Sequence, residues 1–405
     1  MTPIADTAGL RAGNTARVLR EIRLREQTTR VDLASSLNLS PATVTTVIGA
    51  LLDSELILEE KAAASPGRGR PRVLISLNPD AHYVAGAKLN DRSLTTAILN
   101  FKGEIIAEAA APFDGQTIDG DQFKAKVDEA LDAALAAAGL SEDQIGAFGM
   151  GVPGFVETET GLCHWSPILT GAPVDIRALL RQRLACPIFV DNDANLVTLA
   201  ELWFGLGREE NNFLVVTVEH GVGLGVVIDG RLYRGARGLG AEFGHTKVQI
   251  DGALCRCGQR GCLEAYVADF ALRREASAAL DDDVSGLSRA EVLERLAAEA
   301  RAGREIPASI YRRAGKMLGL GLANLVNLFD PAMIVLAGER IRNHQLIAEE
   351  VERTLTENAI VVSRPRAPLA VHRWGDGLWA RGAGALALDG LMTMRDTVEP
   401  KLVDA

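Results

Sequence analysis

The sequence predicts an α/β protein in two parts, a small helical head and a larger body of alternating strands and helices. Three observations carry that expectation. The hydrophobic period changes from helical to strand-like after about two thirds of the head, the excess of acidic charge lies in the body, and one histidine with three cysteines falls within a short glycine-containing stretch. At 405 residues the chain is too long for one compact core and suggests two or three domains. Apolar residues make up 47% but aromatic ones only 5%, so the core is expected to be built from Ala, Val, Leu and Ile. No apolar run approaches the length of a membrane span, and Met1–Leu10 lacks the basic and apolar segments of a signal peptide, so a cytoplasmic protein is expected.

The net charge of -10 is uneven: residues 1–80 carry a net +1 and the remainder a net -11. A relatively basic head on an acidic body fits a DNA-binding module joined to a globular sensor. The divisions expected are 1–80 for the head, 81–200 for a first lobe and 201–405 for a second, the last helix being free to return to the first lobe.

The head reads as a winged helix-turn-helix. Asn14 to Glu26 places Val18, Leu19 and Ile22 on one side with arginines elsewhere. Thr29 with Asp32 is a capping box for a second helix through Leu37, and Asn38-Leu39 makes the turn. Ser40-Pro41 then supplies an N-cap and a proline at the first helical position, where its missing N–H costs nothing. That third helix, to about Asp53, buries Val44, Val47, Ile48 and Leu51. Its other face offers small and hydroxyl side chains to base edges and thymine methyls. Leu56–Glu59 and Val73–Leu77 read as strands, and the tip between them contains Arg68-Gly-Arg70-Pro-Arg72, suited to an electronegative minor groove. The candidate DNA contacts are therefore Ala42, Thr43, Thr45, Thr46, Arg68, Arg70 and Arg72. Thr46 stands where an arginine would read guanine, so phosphates and the wing are expected to supply much of the affinity. An ordinary three-helix bundle would share the helices but not the wing.

The body shows two successive rounds of strands and helices. Tyr83–Lys88, Leu94–Leu99 and Ile105–Ala109 form a meander, followed by a helix over Phe123–Ala138 and strands at Ile145–Val152 and Pro187–Asp191. A second round begins at Phe213–Val218 with Val226–Ile228 as its partner, and ends with helices and the strand Met333–Leu336. Two such rounds predict the duplicated, ribonuclease H-like α/β fold of actin and hexokinase, with a cleft between lobes.

His245, Cys255, Cys257 and Cys262 lie within eighteen residues, with Gly258 and Gly261 permitting a tight backbone. Three thiolates and one imidazole match a closed, structural tetrahedral zinc site. Scattered buried cysteines rarely fall in this spacing, and a disulfide is disfavoured in a reducing compartment.

These motifs together carry a resemblance. Gly151-Val-Pro-Gly154, Asp191-Asn-Asp-Ala-Asn195, Gly240-Ala-Glu242-Phe-Gly-His245 and Cys255-x-Cys-Gly-x-x-Gly-Cys262-Leu-Glu264 are similar to those of the ROK family (repressors, open reading frames and kinases), of the xylose-repressor or N-acetylglucosamine-repressor type. With the head they span nearly the whole chain. The resemblance implies that His245 and the three cysteines bind zinc, and that Asn192, Asp193, Glu242, His245 and Glu264 face a monosaccharide or its phosphate. Carboxylates and an amide suit adjacent sugar hydroxyls, and a zinc-bound imidazole can offer its other nitrogen to the same ligand.

The chain departs from the family pattern in two places. Ile168 in Trp165-Ser-Pro-Ile168 stands where an Asn is common, which points to a different sugar. The hairpin Lys88-Leu-Asn-Asp-Arg92-Ser lacks the glycines of a phosphate loop, and Glu219-His220 puts negative charge in the second one. The expectation is a sugar-responsive transcriptional regulator without enzymatic activity, acting as a homodimer or homotetramer on double-stranded DNA, with no membrane partner. The competing readings are a sugar kinase, and a DNA-binding protein whose sugar fold only dimerises.

Overall fold

A computed structural model describes residues 7–61, 72–114, 117–280, 286–360, 367–372 and 378–397. The chain divides into two compact units, residues 1–192 with 379–405 and residues 193–378.

The head of the first unit contains helices Thr7–Arg25, Arg30–Leu37 and Pro41–Asp53, followed by the antiparallel strands Ile57–Lys61 and Val73–Leu77. The first helix begins seven residues earlier than its apolar spacing indicates, because its opening turns carry few large apolar side chains. Thr29 caps the second helix by accepting the Asp32 N–H, and Asn38 ends it in the left-handed conformation. Ser40 caps the third in the same way, accepting from Thr43 N at 3.1 Å. Val18, Ile22, Leu33, Val44, Ile48, Leu51, Ile57 and Ile75 are buried together as the core of this head. An Arg17 guanidinium donates to Leu37 O at 2.8 Å, tying the first helix to the end of the second. Backbone pairing of Thr28 with Ile75 fastens the strands to the turn between the first two helices. The wing tip, with Arg68 and Arg70, lies outside the described residues; Arg72 is exposed at the start of the returning strand.

The rest of this unit is a five-stranded sheet. Its order is Ile188–Asn192, Ile145–Val152, Tyr83–Leu89, Ser93–Asn100, Ile105–Pro112, the first three parallel and the last two antiparallel. Strand residues alternate between faces. Ala85, Ala87, Phe148 and Met150 join the core with helix Gly120–Ala138. Gly86 and Gly149 take the other face, where the C-terminal helix Leu378–Thr397 lies so close that a Cβ on Gly86 would stand 2.2 Å from Gly384 N, and one on Gly149 2.1 Å from Ala383 O. A smaller sheet of Phe155–Glu157, Leu162–Trp165 and Val174–Asp175 completes the unit.

The second unit opens with helix Asp193–Phe204 and repeats the plan. Its sheet runs Arg231–Tyr233, Val222–Ile228, Phe213–Val218, Met333–Ala337, Leu369–Val371. Counted along the chain within each unit, both sheets have the strand order 3-2-1-4-5. The antiparallel meander and the two added parallel strands recur, as a duplicated actin- and hexokinase-like fold requires. Helices Glu305–Phe329 and Ala348–Asn358 pack beside this sheet, and Leu214, Val216, Leu224, Leu318, Leu322 and Leu355 form part of its core. Among the described residues no helix is long and apolar enough to cross a membrane.

Candidate functional site

The cysteine stretch folds as a tight hairpin. Cys255 N–H donates to Gln259 O at 2.8 Å, Gly258 N–H to Cys255 O at 3.0 Å, and Gly261 N–H to Ala253 O at 2.9 Å. Gly261 has φ +78°, and a Cβ there would meet Gln249 O at 1.8 Å, so the turn demands glycine. Pairing of Lys247 with Cys262 lays the segment after His245 against this hairpin. His245 itself ends the short turn Phe243–His245.

This backbone brings the four predicted metal residues together. One ligand atom from each of His245, Cys255, Cys257 and Cys262 lies within 4.8 Å of all the others. Cys257 Sγ and Cys262 Sγ are 3.8 Å apart, and Cys255 Sγ is 3.8 Å from His245 Nδ1. Sulfurs about 2.3 Å from a tetrahedral zinc are separated by roughly 3.8 Å, so the donor set and its spacing fit that ion. Two of the three thiols are buried and Cys257 is exposed. The cluster is a candidate metal site of the closed type.

Three of the predicted sugar-facing acids belong to the same unit. Asp193 is the first residue of its helix and half-buried, with Oδ1 accepting its neighbour Ala194 N–H at 3.0 Å. Glu264 opens the short helix after Cys262; its Oε2 accepts Val222 N–H at 3.3 Å, and its Oε1 lies 3.8 Å from Cys255 Sγ. Glu242 retains an exposed surface, yet atoms crowd its carboxyl. Lost hydration first, and then the charges of Asp193 and Glu264, push it up to about 7. A carboxyl titrating there can both accept from and donate to a hydroxyl at neutral pH. Asn192 is half-buried at the last position of its strand, one residue before Asp193 and in the first unit.

The Ile168 side chain is 4% exposed and packs in the core of the first unit. Its backbone is held as well, N–H to Ser166 Oγ at 3.2 Å and O accepting from Ile118 N–H at 2.9 Å.

The two turns that lack phosphate-loop residues are filled by side chains. In the first, Asn90 Nδ2 donates to Thr95 Oγ1 at 3.1 Å, and Lys88, 5% exposed, places Nζ 3.1 Å from the centre of the Trp379 ring. In the second, His220 Nδ1 lies 3.2 Å from the buried Asp269 carboxylate and 2.7 Å from Arg289 Nη1. Arg256 donates to His220 O and stacks on Phe270. Sequence reasoning found Glu219 and His220 but not these partners, which lie 36 to 69 residues away.

On helix Pro41–Asp53, Ala42, Thr45 and Thr46 are exposed and Thr43 is half-buried. Thr45 Oγ1 donates to Pro41 O at 2.8 Å and Thr46 Oγ1 to Ala42 O at 3.0 Å. Each hydroxyl has one proton. With those protons directed at the helix backbone, both threonines turn acceptors and methyl groups outward.

A winged helix-turn-helix head on a duplicated sugar-kinase-type body, with a Cys3His cluster beside a wall of acids, defines the class of protein. Residues 93–389 match the ROK family. The xylose repressor of Caldicellulosiruptor bescii is 26% identical over 93% of this chain and 95% of its own length. A glucokinase of Halalkalibacterium halodurans is 31% identical over 64% of this chain and 80% of its own. A crystal structure of a ROK family transcriptional regulator, a homolog of the E. coli MLC protein, superposes with a TM-score of 0.79 at 26% identity, covering 96% of this chain and 99% of that one. The chain belongs to the ROK family.

Proposed function

We propose that this protein is a sugar-responsive, DNA-binding transcriptional repressor of carbohydrate genes. One observation carries the reading: a single chain joins a winged head to a ligand wall of Asp193, Glu242, His245 and Glu264, while the His220–Asp269–Arg289 cluster fills the turn where a kinase would cradle phosphate. Residues 1–80 form the DNA-binding domain, and two copies bind the half-sites of one operator, as a dimer or tetramer. Ala42, Thr43, Thr45 and Thr46 enter the major groove, and Arg68, Arg70 and Arg72 contact the adjacent minor groove. Asn192 joins the acids in holding a monosaccharide or its phosphate.

Zinc bound by His245, Cys255, Cys257 and Cys262 would supply a structural crosslink and no chemistry. His245 turns Nδ1 toward Cys255 Sγ, and its imidazole joins the residues that face the sugar. Glu264 links the two roles, since it touches both Cys255 and the turn at Val222.

The test is selection of bound fragments from genomic DNA, followed by anisotropy titrations with a panel of monosaccharides and their phosphates. Specific DNA binding altered by one sugar supports the proposal; no specific fragment at any salt concentration overturns it. The similarity to a glucokinase makes sugar phosphorylation the second reading. Sugar-dependent ADP release at roughly 1–1000 per second would establish it; none is expected.

A further inference from the structure

The candidate zinc site has a charge problem. A divalent ion with three thiolates and a neutral imidazole carries a net charge of -1, and the Glu264 carboxylate lies within 3.8 Å of one of those sulfurs. A cationic donor facing the cluster would offset part of that charge.

Of the basic side chains on the segments that carry the ligands and the helix that follows, Arg256, Arg260 and Arg274 point elsewhere. Arg256 donates to His220 O and covers Phe270. Arg260 Nη1 donates to Gly252 O at 3.2 Å, and Arg274 donates to Leu254 O and Ala265 O. Lys247 is different. Its Nζ lies 2.9 Å from Cys262 Sγ, 2.7 Å from Gln259 Oε1 and 3.3 Å from His245 O. Those three acceptors match the three protons of an ammonium. The backbone fixes the approach: Lys247 pairs directly with Cys262, and the next two N–H groups both donate to Gly261 O.

We propose that Lys247 is the counter-charge and positioning residue of the metal centre. Its ammonium donates to the Cys262 thiolate and cancels the excess charge of the loaded site, while Gln259 and the His245 carbonyl aim it. This rests on reading the four residues as a metal centre. A hydrogen-bonded partner outside the ligand set typically changes metal affinity by about 10–100-fold when removed.

Zinc-loaded full-length protein, Lys247→Met and Lys247→Arg are compared by competition with a chromophoric chelator at pH 7.5, and again after cobalt substitution. Lys247→Met is expected to lose zinc affinity about 10–100-fold and to shift the sulfur-to-cobalt charge-transfer band, because one thiolate loses its charged donor. Lys247→Arg keeps charge and N–H groups and stays close to wild type. Lys247 is exposed, so the variants are expected to fold, and a circular dichroism spectrum checks this. Equal zinc affinity and an unchanged cobalt spectrum in Lys247→Met overturn the proposal although the metal centre stands. Wild-type protein that binds neither metal removes the metal centre itself and this proposal with it.

Discussion

Glu201 Oε1 lies 2.7 Å from His372 Nδ1, joining a fully buried carboxylate to a residue 171 positions further along the chain. The other oxygen accepts Leu206 N–H at 2.9 Å, so one side chain holds both the end of helix Asp193–Phe204 and the residue following strand Leu369–Val371.

Replacing Glu201 by Ala removes the acceptor shared by an imidazole and a backbone N–H and leaves a void. Leaving buried hydrogen-bond donors without their acceptor costs about 1–3 kcal/mol each. Urea denaturation is expected to show a loss of that size, and a loss below about 1 kcal/mol would mean the contact behaves like a surface pair.

Thiol reactivity separates the five cysteines. Burial pushes the Cys163 and Cys186 thiols up to about 11, so roughly 0.1% of either is thiolate at pH 8. Removing metal with a strong chelator is expected to open Cys257, the exposed thiol of the cluster, to iodoacetamide while Cys163 and Cys186 stay unlabelled. Labelling of those two should then rise about tenfold per pH unit from 8 to 10 as their thiolates form. Mass spectrometry reads both results; protection of Cys257 that is unaffected by chelation would count against the metal centre.

Because Thr45 and Thr46 direct their protons to Pro41 O and Ala42 O, the DNA-facing helix is expected to favour thymine methyls over guanine acceptors. Substituting deoxyuridine for thymine at one contacted position deletes a methyl worth ~0.8 kcal/mol, about a fourfold loss of affinity. An operator that tolerates uracil everywhere in the half-site would exclude this mode of readout.

Arg68 and Arg70, carried by the segment joining the paired strands, are expected to contribute mainly through counterion release. Changing both to Ala should lower the slope of log K against log salt by about 2. An unchanged slope would remove them from the interface.

Asp193→Ala is expected to leave DNA affinity nearly unaltered and to abolish its response to sugar. A ligand coupling of ~1–3 kcal/mol corresponds to roughly 5–150-fold in DNA affinity. A variant still responding like wild type would move the sensor away from this wall.

What could be read from the chain depended on how far apart the cooperating residues are. Caps, turns and the metal cluster were legible because Ser40 with Thr43, or Cys257 with Cys262, act within a few positions. The head followed from hydrophobic period and capping residues, and the longer strands of both sheets from period, whereas the three-residue edge strands Arg231–Tyr233 and Leu369–Val371 did not. Glu201 with His372, and His220 with Arg289, were not legible, since nothing local marks a pairing across 171 or 69 residues. The packing of Ile168 in the core of the first unit was likewise hidden, because its neighbours there come from distant parts of the chain. The small sheet at Phe155–Asp175 escaped because strands of two to four residues carry almost no periodic signal.

Strand Val222–Ile228 holds two glycines, Gly223 and Gly225. A side chain on Gly223 would meet Ala194 Cβ at 2.6 Å, and one on Gly225 would meet Thr198 Oγ1 at 1.8 Å. Both are fixed by contact with helix Asp193–Phe204, whatever the turn beside them binds. Glycine at these two positions therefore reports how the strand packs on its helix, and is no evidence for or against a nucleotide site.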